Sequence, residues 1–140
     1  MTTIAYKDGV IAYDSRTTRG GLIQSDNKDK SITKGDVRMF FCGVFSDGDE
    51  LMSAYLGESD KTFDESHAIV VDNGNIYHFC VTKEDGVSKY PIDAGEYFAI
   101  GSGTDHAYTA MDLGLSAKEA VKMAAKRDTG TGGRIRVYKI

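Results

Sequence analysis

The chain has 140 residues, with 17 basic against 21 acidic side chains and a net charge of −4, so it lacks the basic excess that marks a nucleic-acid binder. Its mean hydropathy of −0.33 and the lack of a long apolar run exclude a helical membrane span. At 41% hydrophobic and 27% charged residues, it reads as one globular domain over residues 1–140, large enough to bury a core without disulfide staples.

Taken in chain order, the first third reads as β-structure. Thr2 to Tyr6 and Val10 to Tyr13 are short β-prone runs joined at Lys7-Asp8-Gly9, where Asp-Gly is a strong hairpin signal. Val37 to Phe45 is a longer apolar run. Asp49 to Leu56 sets Leu51, Met52, Tyr55 and Leu56 on one helical face and stops at Gly57, a natural C-terminal cap. Gly57 to Ser66 is polar and reads as a loop. A second hairpin follows, Ala68 to Val71 and Ile76 to Val81 around Asp72-Asn73-Gly74-Asn75. Tyr97 to Ile100 is a strand, and Asp105 to Leu113 is a helix ending at Gly114. Ser116 and Glu119 form a capping box that opens a third helix with Ala117, Ala120, Val121 and Ala124 as its apolar stripe. Ile135 to Ile140 closes the strand list. Strands that are apolar throughout, not alternating, are covered on both faces. The predicted fold is α+β: a four-layer α/β/β/α sandwich of two mostly antiparallel sheets with helices outside.

Thr2 is the first candidate for chemistry. Removal of Met1 leaves it with a free α-amine, and such an amine, with a pKa of roughly 7.7–8.0, can take the proton from its own hydroxyl. Asp14 closes the second strand, and Lys30 lies sixteen residues further on. A lysine beside the amine favours the neutral, basic amine by like-charge repulsion, and a carboxylate holds that lysine in place. Taken singly, Asp14 reads better as a turn residue and Lys30 as one of several solvated charges. Gly101-Ser102-Gly103 and Gly130-Thr131-Gly132-Gly133 are glycine-rich, but neither completes a Walker or dinucleotide fingerprint. Asp128-Thr129-Gly130 occurs once and follows a basic helix end, which separates it from the paired motif of aspartic proteases.

Five features occur in order: a Thr-Thr-Ile start, the Asp14-Ser15-Arg16 turn, Lys30, Gly101-Ser102-Gly103 before a helix, and Arg127-Asp128 followed by Gly132-Gly133 before the last strand. In this the chain resembles the N-terminal-nucleophile (Ntn) hydrolases of the proteasome β-subunit and HslV group, over nearly its whole length. The resemblance implies Thr2 as nucleophile and Lys30 as the group that tunes its amine, with Asp14 paired to Lys30. Ser102, Asp128 and Thr131 fall where the family supports the threonine. Its oxyanion-hole N–H comes from a glycine just before the first helix, a position that falls here on Phe45. The family's second long helix has no room after Leu56, so one helical layer is reduced.

The function implied is that of a small cytoplasmic threonine peptidase that forms homo-oligomers, acts on peptides or unfolded proteins and works with an ATP-dependent unfoldase. The alternatives are a catalytically silent relative with an assembly or inhibitory role, and an amidase acting on a small acylated substrate. No cofactor and no metal is expected. His67, His78 and His106 lack metal-ligand spacing, Cys42 and Cys80 read as small buried hydrophobes, and Asp47-Gly48-Asp49 reads as a helix cap.

Overall fold

A computed structural model describes residues 2–43, 48–59 and 65–140. Among them the strands are β1 (Thr3–Lys7), β2 (Val10–Tyr13), β3 (Thr17–Arg19), β4 (Leu22–Ser25), β5 (Ser31–Lys34), β6 (Val37–Gly43), β7 (Ser66–Asp72), β8 (Asn75–Thr82), β9 (Gly86–Pro91), β10 (Phe98–Gly101) and β11 (Arg136–Lys139). The helices are α1 (Gly48–Tyr55), α2 (Thr104–Asp112) and α3 (Ala117–Arg127). Every strand pair is antiparallel. The chain divides into two compact units, Met1–Lys30 with Ala94–Ile140 and Ser31–Asp93.

In the first unit the sheet order is β10-β1-β2-β11, with β3 and β4 forming a separate two-stranded ribbon. Asp8 at φ 51° and Gly9 at φ 75° make the two-residue turn whose twist matches the strands it joins. Its register sets Lys7 against Val10 and Ile4 against Tyr13. One step beyond the last pair, Asp14 N donates to Thr3 O at 3.3 Å, so the turn chemistry at residue 8 decides what stands beside residue 3. Both faces of the central strands are buried: Ile4, Ala5, Tyr6, Ile11 and Ala12 are all shielded from solvent. One face is made of alanines. Ala5, Ala12 and Ala99 pack against Ala107, Ala110, Ala117 and Ala120 of the two helices, and small side chains on both sides let helix and sheet approach closely at interior packing density.

The helix ends follow the local sequence. Ser116 accepts from Glu119 N, and the Glu119 side chain accepts from Ser116 N, completing the capping box. Gly114 at φ 93° ends α2, with Gly114 N bonding Met111 O and Leu115 N bonding Ala110 O. These are the paired 5→2 and 6→1 bonds of a Schellman cap.

The second unit is the sheet β5-β6-β7-β8-β9. On one of its faces Leu51, Met52 and Ala54 of α1 join Met39, Ala68, Val70, Phe79 and Val81 in a core. Asn73 at φ 50° and Gly74 at φ 83° form the β7–β8 turn, again with positive φ at both central residues. Gly57 N to Ala54 O and Glu58 N to Ser53 O close α1 with the same Schellman pattern as α2. Among the described residues α1 is the only helix of this unit.

The α+β, antiparallel-sheet expectation holds, and so do all three helices to within a residue at their N-termini. The strands β3, β4, β5 and β9 were not expected. Their residues are largely polar and exposed, so no apolar period marks them; they form because a neighbouring strand offers unpaired N–H and C=O groups. Pro91 sits at the end of the edge strand β9, where a missing donor is tolerated. Residues 60–64 of the expected loop lie outside the described residues. No helix among the described residues is long and apolar enough to cross a membrane.

Candidate active site

The expected site residues of the first unit converge at the N-terminal end of β1. Thr2 is 2% exposed and immediately precedes β1. Lys30, 1% exposed, donates from Nζ to Thr2 Oγ1 at 2.8 Å and to Asp14 Oδ1 at 2.7 Å. A buried ammonium is tolerated only when its charge is balanced and its protons are accepted. Asp14 is itself wholly buried and is satisfied from several sides. Its Oδ1 also accepts from Thr3 N at 3.2 Å, and its Oδ2 from Gly132 N at 3.0 Å and Arg16 N at 3.3 Å. Asp14 thus ties β1, its own turn and the glycine loop before β11 to one carboxylate.

A second chain of hydrogen bonds approaches Thr2 from the opposite side. Ser102 Oγ donates to Asp128 Oδ2 at 2.5 Å. With its single proton spent there, the Ser102 oxygen accepts from Thr2 N at 3.2 Å. Thr131 Oγ1 also donates to Asp128 Oδ2, at 2.6 Å, which makes Thr3 Oγ1 the donor in its 2.7 Å bond to Thr131 Oγ1. Burial pushes the Asp128 carboxyl up, but the hydrogen bonds from Ser102, Thr131 and the Gly130 N–H outweigh it and hold the group below the usual carboxylate range.

The Gly-Ser-Gly motif has a steric cause. A Cβ on Gly101, whose φ is +103°, would stand 1.9 Å from Thr2 O, and one on Gly103 would stand 2.1 Å from Thr3 Oγ1. Only glycine lets β10 and the start of α2 close on the two threonines. A Cβ on Gly132 would fall 2.4 Å from the Arg16 guanidinium carbon, so a larger residue there requires that side chain to move. That guanidinium spans two segments, with Nε and Nη2 on Asp26 at 2.8 and 3.2 Å and Nη1 on Thr129 O at 3.2 Å.

Thr2, Asp14, Lys30, Ser102, Asp128 and Thr131 therefore form one connected network. Phe45 lies outside the described residues, as does Asp47. Sequence reasoning missed Thr3, whose hydroxyl joins the Asp128 group, and the backbone donors of Arg16 and Gly132. The Thr2-Thr3 doublet and the Gly132-Gly133 pair were the available signals. The structure also departs from the expectation for the histidines and Cys80. Antiparallel pairing of β7 and β8 gathers His67, His78 and Cys80, because linear spacing says nothing about partners on adjacent strands. Cys42 is buried as expected, and Cys80 is only partly so.

No protein-family model matches the chain. It is 25% identical over 181 residues to proteasome subunit beta type-5 of Gallus gallus, a match spanning 99% of this chain and 70% of that protein. Its fold matches Thiobacillus denitrificans BPH in complex with epoxomicin, with a TM-score of 0.72 at 18% identity, over 99% of this chain and 97% of that one. A second structure of Thiobacillus denitrificans BPH matches with a TM-score of 0.67 at 20% identity, over 99% and 96% of the two chains. The fold is that of a proteasome-like Ntn hydrolase, and the sequence is similar to a proteasome β-subunit.

Proposed function

We propose that this chain is a threonine-type peptidase of the proteasome and HslV kind, with Thr2 as nucleophile once Met1 has been removed. The observation that carries the reading is the buried Lys30 ammonium, 2.8 Å from Thr2 Oγ1 and neutralised by Asp14. A cation there stabilises the alkoxide that develops as Thr2 attacks. It also disfavours protonation of a Thr2 α-amine, keeping that amine a base.

In this reading the Thr2 hydroxyl proton passes to its own α-amine while Oγ1 bonds to the substrate carbonyl carbon. Collapse of the tetrahedral intermediate breaks the C–N bond, and the ammonium returns the proton to the leaving amine. The ester left on Thr2 is cleaved by water, whose proton the amine takes in turn. Ser102 orients the amine through the Thr2 N contact, and Asp128 fixes the Ser102 rotor. Thr131 braces Asp128 and Thr3. The family resemblance assigns the oxyanion N–H to Phe45. In this reading the enzyme is cytoplasmic, assembles into homo-oligomers and acts on peptides or unfolded chains.

The test is intact-mass analysis of the purified protein before and after exposure to epoxomicin, the compound bound in one structure of similar fold. The expected result is a chain lacking Met1 that gains one inhibitor mass on Thr2, with no gain in Thr2→Ala. Absence of an adduct on a chain shown to lack Met1 overturns the peptidase reading and favours a silent relative.

A further inference from the structure

We propose that His67, His78 and Cys80 on the second unit's sheet form a zinc(II) site, separate from the Thr2 network. The three residues come together through strand register. His67 of β7 pairs directly with Cys80 of β8, and His78 lies two residues before Cys80, on the same face of its strand. This face is opposite the one that α1 covers, since Ala68, Val70, Phe79 and Val81 of the alternate positions pack with that helix. One donor atom from each of the three residues lies within 4.8 Å of the others. Zinc bonds of about 2.0–2.1 Å to nitrogen and 2.3 Å to sulfur set tetrahedral donors roughly 3.3–3.6 Å apart. Small side-chain rotations close the observed set onto that geometry.

The imidazoles are already arranged for an ion. His67 Nδ1 faces His78 Nε2 at 3.1 Å, with the ring planes only 7° apart. His67 Nε2 meets Glu65 Oε1 at 2.8 Å. A carboxylate at that distance accepts a hydrogen bond from Nε2–H and leaves the Nδ1 lone pair directed at His78, the carboxylate–histidine–metal arrangement in which an outer carboxylate fixes the ligating tautomer. A metal ion between the two rings takes the place of the hydrogen bond that joins them, with the His78 proton moving to its Nδ1 so that Nε2 is free to ligate. Two imidazoles and a thiolate are borderline-soft donors that select zinc over magnesium or calcium. Three protein ligands leave the fourth position to water. Glu65 also lines an open pocket of about 400 Å³ with Thr82, Lys83, Glu84 and Asp85. Three carboxylates against one ammonium make that pocket cation-attracting, a route by which the ion arrives.

The experiment uses the full chain, stripped with chelator and dialysed. Zinc is titrated against a chromogenic chelator, and cobalt(II) serves as a spectroscopic probe of the same donors. The expected result is one zinc per chain and a cobalt spectrum with both tetrahedral d–d bands and a near-ultraviolet thiolate-to-metal band. Cys80→Ser should abolish the thiolate band. His78→Ala should weaken zinc binding at least tenfold, and Glu65→Gln by roughly 10- to 100-fold, as loss of an outer-shell carboxylate does. His106→Ala, on α2, should leave binding unchanged, and circular dichroism checks that each variant is folded. Failure of the folded wild-type chain to hold zinc, or a cobalt spectrum without the thiolate band, overturns the proposal whatever the variants do. Neither outcome bears on Thr2, whose labelling is read separately.

Discussion

Asp14 and Lys30 form an ion pair at 2.7 Å in which the side chains are 0% and 1% exposed. Such a pair contributes little net stability against an apolar alternative of similar volume, because desolvating two charges offsets their attraction. On the peptidase reading the charge acts at Thr2 Oγ1, which Lys30 Nζ contacts at 2.8 Å. Breaking the pair is another matter, because one unpaired charge then stays buried. Asp14→Ala should cost about 3–5 kcal/mol in urea unfolding, since Lys30 and the N–H groups of Thr3, Arg16 and Gly132 lose their acceptor together. Lys30→Met should cost less, because Asp14 keeps those three donors. The reverse order would show that the carboxylate is not the organising group.

Lys30→Met also separates charge from packing at the nucleophile. It keeps an unbranched chain while removing the ammonium from Thr2 Oγ1. On the peptidase reading, epoxomicin labelling of Thr2 should slow by about 10²-fold or more in a variant that remains folded by circular dichroism. An unchanged labelling rate would remove Lys30 from the mechanism.

The steric origin of the Gly101-Ser102-Gly103 motif can be tested at Gly103, whose φ of −93° suits any residue. Gly103→Ala should nevertheless destabilise by about 1–3 kcal/mol, the usual range for overpacking, because its Cβ meets Thr3 Oγ1. Gly21→Ala has nothing within 4 Å of its Cβ and should be close to neutral. Equal denaturation midpoints for the two variants would refute the close-approach account.

Asp128 should contribute a pH-dependent part of the stability. Its carboxyl is lowered in the folded chain from an unfolded value of 3.8, so the folded state holds the proton less readily than the unfolded one. The contribution is therefore complete above about pH 4 and is lost as pH falls through the lowered folded value. Urea midpoints of wild type and Asp128→Asn should differ most near neutrality and converge as the pH falls below 3.8. A gap of constant size would show that the hydrogen bonds to Asp128 do not depend on its ionisation.

Local chemistry was legible in the sequence where it acts over a few residues. Asp8-Gly9 and Asn73-Gly74 announced two hairpins because positive φ is cheap there, and Ser116 with Glu119 announced a helix start. The ordered motifs from Thr2 to Gly133 named six residues that the fold does bring together. What the sequence withheld depends on pairing between distant segments. The polar strands β3, β4, β5 and β9 exist only because a neighbour supplies hydrogen-bond partners. The Thr3 hydroxyl joins the Asp128 network only because β10 closes on β1 over glycines. His67, separated by eleven positions from His78, meets it and Cys80 only through the β7–β8 register. The amino-acid order sets turns, caps and apolar faces through short-range sterics and hydrogen bonding. Tertiary structure decides which buried charges and ring nitrogens meet, because that depends on strand register and on how closely two backbones can approach.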